Sequence, residues 1–530
     1  MTEGDAEKLA TFEERVEVTE VFENDMANPI CLGSTLLERD GVKILIPTPS
    51  EDPNDPLNWS QTFKIYVVLL LSLGVIMSNF LAAGPTVAII EIAGNFTHPL
   101  NIPKTAYFFT ITALVQGLGL ALWMPLSAKY GRRPVLVFCY IGYVLSALWG
   151  GLSKQYGSEL AARSAIGFFG GGAEGLAPVI ITDIFFLHER GTYMSFYNVF
   201  LSVGVSGGIV FAALITHVRP WQYVYWVSVA VIGFNALLVL FTFPETAYRR
   251  DSDNIIEQKE KRSYWQRISL FTGQYTEEKL FKMFVRPAFT LLLPSVLWVT
   301  FVYGSILGFL VAVSSNFAVA LAAPPYHFTS LQSGLCFIGG AVGALLSLPL
   351  GGHFGDWIAD LFTRRNGGIR EPEMRLPAMF PCIVLGPLGL LIYGLTIGRG
   401  LHWMGAVVAL GLLNFSICVV TNVTIVYVVD IYKPIAAEVV VAILATKSVI
   451  GFVLSFYTNT WVEQRGYIEA FGTMTAISAI ILSFTFLFYI WGANLRQRSF
   501  QWRTSQRMVK WHIDRDDGSR TKADVHQPVL

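Results

Sequence analysis

Twelve apolar runs, most of them twenty residues or longer, set the terms for this chain; they centre on 63–90, 104–125, 134–152, 158–182, 192–216, 222–243, 288–318, 330–352, 375–397, 402–426, 434–460 and 468–492. At a helical rise of about 1.5 Å per residue, about twenty residues cross the roughly 30 Å of hydrocarbon in a bilayer. A membrane strand needs only about ten residues of alternating character. Within lipid every backbone N–H and C=O must find its partner inside the protein, so runs of this length fold as helices. Glycine and proline inside several of them do not argue otherwise, because neighbouring helices re-satisfy freed backbone groups. The expected fold class is an all-α polytopic membrane protein with twelve transmembrane helices. Apolar residues make up 53% of the chain and charged residues only 14%, far from the balance of a soluble protein of this size.

The charges that do exist are sorted by loop. One set of alternate loops holds Lys129, Arg132, Arg133, Arg190, nine Lys or Arg between 249 and 286, Arg364, Arg365, Arg370, Arg375 and Lys433. The other set holds only Lys104, Lys154, Arg219, Arg399 and Arg465. Eighteen against five sets orientation by the positive-inside rule and places both termini in the cytosol. The sequon Asn95-Phe96-Thr97 then falls in the first outer loop, where a glycosylated asparagine belongs. No cleavable signal is visible, so the first spanner is expected to act as the uncleaved signal.

The longest charged loop divides the spanners six and six. The expected organisation is a disordered cytosolic tail (1–62), a first six-helix half (63–243), a cytosolic central loop (244–287), a second six-helix half (288–492) and a cytosolic tail (493–530). The first tail carries fourteen acidic residues against four basic ones. The last is basic and amphiphilic, suited to an anionic leaflet or to solvent alone. A net charge of zero gives no basis for nucleic-acid binding. The five cysteines are scattered, and four lie in apolar runs, which fits free thiols better than a disulfide framework or a zinc site.

Between the second and third runs stands "MPLSAKYGRRPVLV". Gly131 suits the tight turn that so short a connection needs. A related cluster, "GGHFGDWIADLFTRRNGGIREPEMRL", follows the eighth run, about half the membrane body further on. Internal repetition of this kind is a common construction in secondary transporters and implies two pseudo-symmetric halves. On these residues the chain resembles the major facilitator superfamily, and within it the fungal twelve-spanner members grouped with drug:proton antiporters. The resemblance covers residues 50–495. The family's loop signature, Gly-x-x-x-Asp-Arg-x-Gly-Arg-Arg, reads here as Met124, Ala128, Lys129, Gly131, Arg132 and Arg133, with the basic half kept and the first Gly and the Asp absent. "DPLNWS", "DIFFLHERG", "FPETAYRR" and "APPYHFTSLQSG" match in order along the chain. Fungal exporters of this type carry Gly-Pro-x-x-Gly-Gly in the fifth spanner; here Val203 and Gly204 replace Gly-Pro, and Gly207 and Gly208 remain.

The resemblance implies a gate in which loop cations, Lys129, Arg132 and Arg133, clamp the cytosolic face, with Arg132 paired to Asp183. By the repeat, Asp356 stands in the second copy, and Arg364 or Arg365 is expected to pair with Asp430. Ion pairs of this exposure are worth about 0–1 kcal/mol, more when partly buried, a scale that suits contacts broken in every cycle.

Ionisable groups at bilayer depth cost several kcal/mol on insertion scales and by default mark a pathway or a partner. Three stand out: Arg163 and Glu174 in the fourth run, eleven residues apart on one helical face, and Lys447 in the eleventh. The resemblance ties Arg163, followed by Gly167, to proton coupling. Glu174 is a candidate proton carrier, since a carboxyl group that meets apolar surroundings in one state and a cation in another can bind and release a proton. The alternative for both is a fixed ion pair holding helices together. Lys447 has no acid three or four residues away on its helix, so its partner lies on another helix, Glu174 among the candidates, or is the substrate. Spanners one, four, seven and ten line the centre in this family. Asn79, Gln116, Tyr303, Asn316, Asn414 and Asn422 are the polar groups expected toward the substrate cavity; each taken singly is as well suited to an interhelical hydrogen bond. The glycines at 170–172 and in "SVGVSGG" are expected to allow close helix packing.

The expected function is secondary active transport: proton-coupled export of small organic compounds such as drugs or secondary metabolites. The alternative is proton-symport import of a nutrient or polyamine. A membrane-embedded enzyme is the remote third reading, because the histidines are scattered and no catalytic constellation forms. No Gly-x-x-x-x-Gly-Lys-Ser/Thr loop suggests ATP drive, and nothing resembles an ion filter. Neither cofactor nor metal is expected. The partners are a small-molecule substrate, protons and the lipid bilayer, and the chain is expected to be monomeric. The plasma membrane is the expected host; a vacuolar membrane fits the same residues.

Overall fold

The computed structural model describes residues 52–96, 102–248, 263–366 apart from 272 and 277, 369–432 and 435–502, with short pieces between 35 and 43. Most of the acidic tail, the stretch 249–262, Thr97, Lys433 and the basic tail after 502 lie outside the described residues.

Eleven helical stretches among the described residues are long and apolar enough to cross a bilayer, and the last, Ala436–Ser499, is two helices. Gly466 adopts φ 78° and ψ 168° within it, a backbone conformation that reverses the chain and favours glycine. The contacts agree: Asn459 reaches Asn316, while Phe488 stacks on Trp298 toward the other end of the same partner helix. The spanning helices are α1 (Gln61–Ala83), α2 (Ile102–Tyr130), α3 (Arg132–Leu152), α4 (Tyr156–Ile184), α5 (Leu187–Val218) and α6 (Gln222–Thr242). They continue with α7 (Pro294–Ala322), an eighth span over Ser330–Arg365 that contains α8 (Ile338–Leu348), α9 (Phe380–Gly398), α10 (Met404–Ile431), α11 (436–465) and α12 (467–500).

Successive connections lie on alternate faces. Lys129, Arg132, Asp183, Glu245 and Glu278 meet on one, here called the basic face. Lys104 and Tyr156 meet on the other, where Tyr326 also donates to the Thr396 and Leu401 carbonyls. Large side chains such as Leu145, Phe211, Phe234 and Ile480 are exposed around the bundle. An apolar belt of this extent would drive a soluble protein to aggregate and is what a bilayer solvates.

Several helix limits depart from the apolar runs. The run expected at 288–318 is split: an amphipathic helix, Leu280–Thr290, ends first, and α7 begins at Pro294, where proline's fixed φ suits a helix start. The eighth run is a short helix, Ser330–Leu335, then α8, a π turn at Pro349–Phe354 and a further helix, Gly355–Arg365. Asp356 therefore sits on a helix, not in a loop. The polar stretch ahead of α1, read as the end of a tail, is folded from Asp52 onward. Asp55 caps a 3-10 turn at Pro56–Asn58, and Lys64 Nζ donates to the Leu57 carbonyl at 3.0 Å. Tyr248 OH donates to Asp52 Oδ2 at 3.0 Å, tying the residues just ahead of "DPLNWS" to the end of "FPETAY". Two short antiparallel ladders, Thr35–Leu36 with Ile369–Arg370 and Glu38–Arg39 with Val42–Lys43, are the only strands among the described residues.

Helix packing follows the glycines. A Cβ on Gly167 would lie 2.3 Å from the Thr112 carbonyl oxygen, and one on Gly171 2.3 Å from that of Gln116. Small residues four apart bring the backbones of α4 and α2 together. On α5, Gly204 and Gly208 do the same against Ile76 and Phe80 of α1.

Candidate functional site

The close approach of α4 to α2 decides what surrounds Glu174. Its carboxylate accepts from Gln116 Nε2 at 2.5 Å and meets Lys447 Nζ of α11, also at 2.5 Å. Glu174 is 4% exposed, and the Lys447 side chain only 10%. Glu174 lies ten residues from the basic end of α4, and Lys447 eleven from that of α11, so both sit roughly 15 Å deep. The ion pair joins the first six helices to the last six at mid-depth. Tyr303 of α7 turns its ring to the ammonium, 5.7 Å from Nζ, and Tyr197 OH of α5 donates to the Glu174 carbonyl.

The two groups of helices also touch on either side of this pair. Toward the basic face, Gly191 of α5 lies against Asp356, and Ser195 against Gly351 and Gly352. Toward the other face, the rings of Tyr107 and Phe456 stack at 5.4 Å, and Gly334 abuts Ala213 and Val87.

Arg163, expected to act with Glu174, has its own counter-ion. Its Nε lies 3.1 Å from Glu159 one turn back, Nη1 donates to the Leu81 carbonyl at 2.9 Å, and its guanidinium stacks over Phe109 and Tyr225. Glu159 also accepts from Ser153 and Tyr225. Both charges are 1% exposed. Eleven residues of helix put Arg163 about 16 Å along the axis from Glu174. The arginine ties together α1, α4 and α6; Glu159 is the residue that sequence reasoning missed, placed as it is in the first turn of α4.

The expected cavity residues divide. Gln116, Tyr303 and Lys447 converge on Glu174. Asn79 donates to the Val75 carbonyl on its own helix, beside Gly204. Asn316 donates to Asn459. Asn414 accepts from Ser202 and Ser206, and Asn422 accepts from Asn198 and donates to the Gly351 carbonyl at 2.6 Å. These last two are engaged along the contact of α10 with α5. Asn198, overlooked in the apolar pattern, also accepts from Tyr303 and Thr421 at 3.4 Å.

At the basic face, Arg132 Nε lies 3.1 Å from Asp183 Oδ2. Arg133 turns the other way, donating to the Phe243 and Leu240 carbonyls at the end of α6, and is 1% exposed. Lys129 Nζ donates to the Glu278 carbonyl. In the repeat the expected partners change. Asp430 faces Arg375 at 3.9 Å, and Asp356 meets Arg375 at 2.7 Å and Arg370 at 3.7 Å. Arg364 and Arg365 are exposed at the end of their helix instead, while Arg370 and Arg375 are buried. Burial lowers the pKa of Arg370, with Arg375 beside it adding to the effect, while Asp430, Asp356 and Asp360 oppose it. Asn95 is exposed in a short helix, Ile89–Phe96, on the face opposite the basic one. Cys139, Cys336, Cys382 and Cys418 are free and buried, and no group of metal-ligating side chains occurs among the described residues.

Comparison with known proteins places this architecture. The family model of the Major Facilitator Superfamily matches residues 68–455. An MFS-type transporter of Schizosaccharomyces pombe is 25% identical, over 87% of this chain and 90% of its own length. The MFS transporter cpaT of Aspergillus oryzae is 26% identical (84% and 90%), and the efflux pump radE of Floropilus chiversii 25% (84% and 83%). Among solved structures, the human organic anion transporter MFSD10 superposes with a TM-score of 0.56 at 16% identity, over 80% of this chain and 99% of that one. The chain belongs to the Major Facilitator Superfamily and is a multi-pass membrane transporter of the secondary type.

Proposed function

We propose that this transporter exchanges small organic compounds for protons, exporting them by alternating access, with the coupling centred on Glu174. The observation that carries this reading is the buried Glu174–Lys447 pair. A carboxylate and an ammonium at mid-depth bridge the two groups of helices that must move past each other. A transporter that opens first to one side and then to the other must remake contacts there, so charge and conformation are linked at that point. Arg163, held by Glu159, keeps the frame of α4 in which Glu174 works. Arg132 with Asp183, and Asp356 and Asp430 with Arg370 and Arg375, are the contacts that would break when the basic face opens; Lys129 and Arg133 brace that face. Export accords with a relative named as an efflux pump. In this reading the basic face is cytosolic, Asn95 is available for glycosylation outside, and the monomer in the plasma membrane is the working unit.

Proton symport into the cell is the second reading, favoured by Val203 and Gly204 standing where exporters carry Gly-Pro. One experiment separates the two. Cells with and without the protein are loaded with labelled hydrophobic cations, polyamines and fungal metabolites, each with and without a protonophore. Lower retention that the protonophore abolishes is the expected result. Higher accumulation abolished in the same way reverses the direction. In either case Glu174→Gln should remove the pH dependence, and wild-type pH dependence in that variant would overturn the role of Glu174.

A further inference from the structure

We propose that the niche holding the Lys447 ammonium is itself the substrate's cation site, filled in this state by the protein's own side chain. The substrate is then an organic ammonium that displaces Lys447. The inference rests on the reading of this pair as the coupling centre and adds the charge class of the substrate and the group that gives up the proton.

The niche has the chemistry of an ammonium receptor. Glu174 Oε1 lies 2.5 Å from Nζ, and the Tyr303 ring centroid 5.7 Å. A carboxylate with an aromatic face is a recurring receptor for organic cations. Gln116 anchors the other carboxylate oxygen at 2.5 Å, so Glu174 is held in place whichever cation occupies the niche. An anion in the same place would find one attractive charge and would meet Glu174 itself.

Charge balance fixes the exchange. Carboxylate and ammonium sum to zero, which a buried site at mid-depth requires. A substrate cation added to that pair would leave one net positive charge. The balance is restored when Lys447, pushed out of its niche, gives its proton to water on whichever side is open. Glu174 keeps its charge throughout, one proton leaves for each monovalent cation that binds, and the return of the proton to Lys447 expels the substrate. The other titratable groups around the site are Tyr197 of α5, Tyr303 of α7 and Cys418 of α10. α2 contributes the amide of Gln116, and α1 the hydroxyl of Ser78. Among these groups only Lys447 is a cation in contact with Glu174, so it is the one whose proton a substrate cation would replace.

The test is calorimetric binding to the purified full-length protein. The probes are primary, quaternary and polyamine ammonium compounds and carboxylates of matched shape, titrated at several pH values and in buffers of different ionisation enthalpy. Wild type should bind at least one monovalent ammonium probe and release one proton, so its affinity rises about tenfold per pH unit while Lys447 is charged. Lys447→Met empties the niche of its own cation, so Glu174 takes up a proton to keep the site neutral; the variant should still bind the same probe, with the proton now leaving Glu174. Lys447→Arg keeps a permanent cation in the niche and serves even if the methionine variant does not fold; it should lose ammonium binding at every pH. Binding of carboxylates but no ammonium probe, binding of neither class, loss of ammonium binding in folded Lys447→Met, or ammonium binding in Lys447→Arg would overturn the proposal. The first of these would leave proton-coupled transport standing, because the pH dependence in cells and its loss in Glu174→Gln are read separately.

Discussion

Arg132 and Asp183 meet where α3 begins and α4 ends, Nε to Oδ2 at 3.1 Å, with 18% and 24% of their side chains exposed. Next to them Arg133 donates through Nε and Nη2 to the end of α6. Two adjacent arginines thus have different partners and different burial. A part-exposed pair is worth about 0–1 kcal/mol or somewhat more, enough to bias two conformations and too little to hold the fold. Arg132→Ala should slow transport several-fold per molecule inserted while leaving thermal stability close to wild type. Reversing the pair, Arg132→Asp with Asp183→Arg, should restore part of the rate. Unchanged transport in Arg132→Ala would leave Arg132 with topology as its sole role.

Gly131 turns the chain between α2 and α3 at φ 100°, and a Cβ there would lie 2.4 Å from Glu245 Oε2. That carboxylate accepts from the Arg132 and Arg133 backbone N–H groups, at 2.8 and 3.1 Å, at the positive end of α3. Gly131→Val combines backbone strain of about 1–3 kcal/mol with displacement of Glu245. It should lower the yield of folded protein sharply. Glu245→Gln keeps the shape and loses only the charge at the helix terminus, about 0.3–1 kcal/mol. Thermal unfolding of the two variants should therefore rank them well apart, and equal stability would mean that the turn does not need glycine.

The three glycines of "SVGVSGG" are not equivalent. A Cβ on Gly204 would come 3.0 Å from the Ile76 backbone and one on Gly208 2.8 Å from Phe80 Cα, whereas Gly207 would meet only Val203 at 3.6 Å. Overpacking between helices costs about 1–3 kcal/mol. Gly208→Ala should destabilise the protein by that order, with Gly204→Ala in the same direction. Gly207→Ala should be neutral or stabilise by up to about 1 kcal/mol, the gain in helix propensity. Thermal stability in detergent reads all three; a destabilised Gly207→Ala would point to a partner that comes to Gly207 in another conformation.

These residues also show what the linear sequence can carry. Spanning helices are legible because length and apolarity act residue by residue, and loop charge sorts them by face. The Arg132–Asp183 contact was implied by the family resemblance, and the convergence of Glu174 with Lys447 could be anticipated because charges are rare within the runs. Glu159 could not: near a helix end an acid reads as solvated, and only the fold turns it under Arg163. Nor could the exchange of Arg364 and Arg365 for Arg370 and Arg375, which depends on which arginines the fold buries beside Asp356 and Asp430. Asn414 and Asn422 were visible, but Ser202, Ser206 and Asn198, which take up their hydrogen bonds, look like ordinary small polar residues in an apolar run.

The Arg163–Glu159 pair separates support from coupling. Both side chains are 1% exposed, so removing one leaves a buried charge without its counter-ion, a loss of about 3–5 kcal/mol. Arg163→Met alone should therefore give little folded protein. Replacing both, Arg163→Met with Glu159→Met, removes the two charges together and should recover folding, since apolar residues of similar volume often replace buried pairs at little cost. A frame-holding role for Arg163 requires that this double variant keep pH-dependent transport through Glu174. A double variant that folds and transports without pH dependence would move the coupling to Arg163 itself. The readout is transport against pH for protein matched by surface expression, so a loss of folding cannot be mistaken for a loss of coupling.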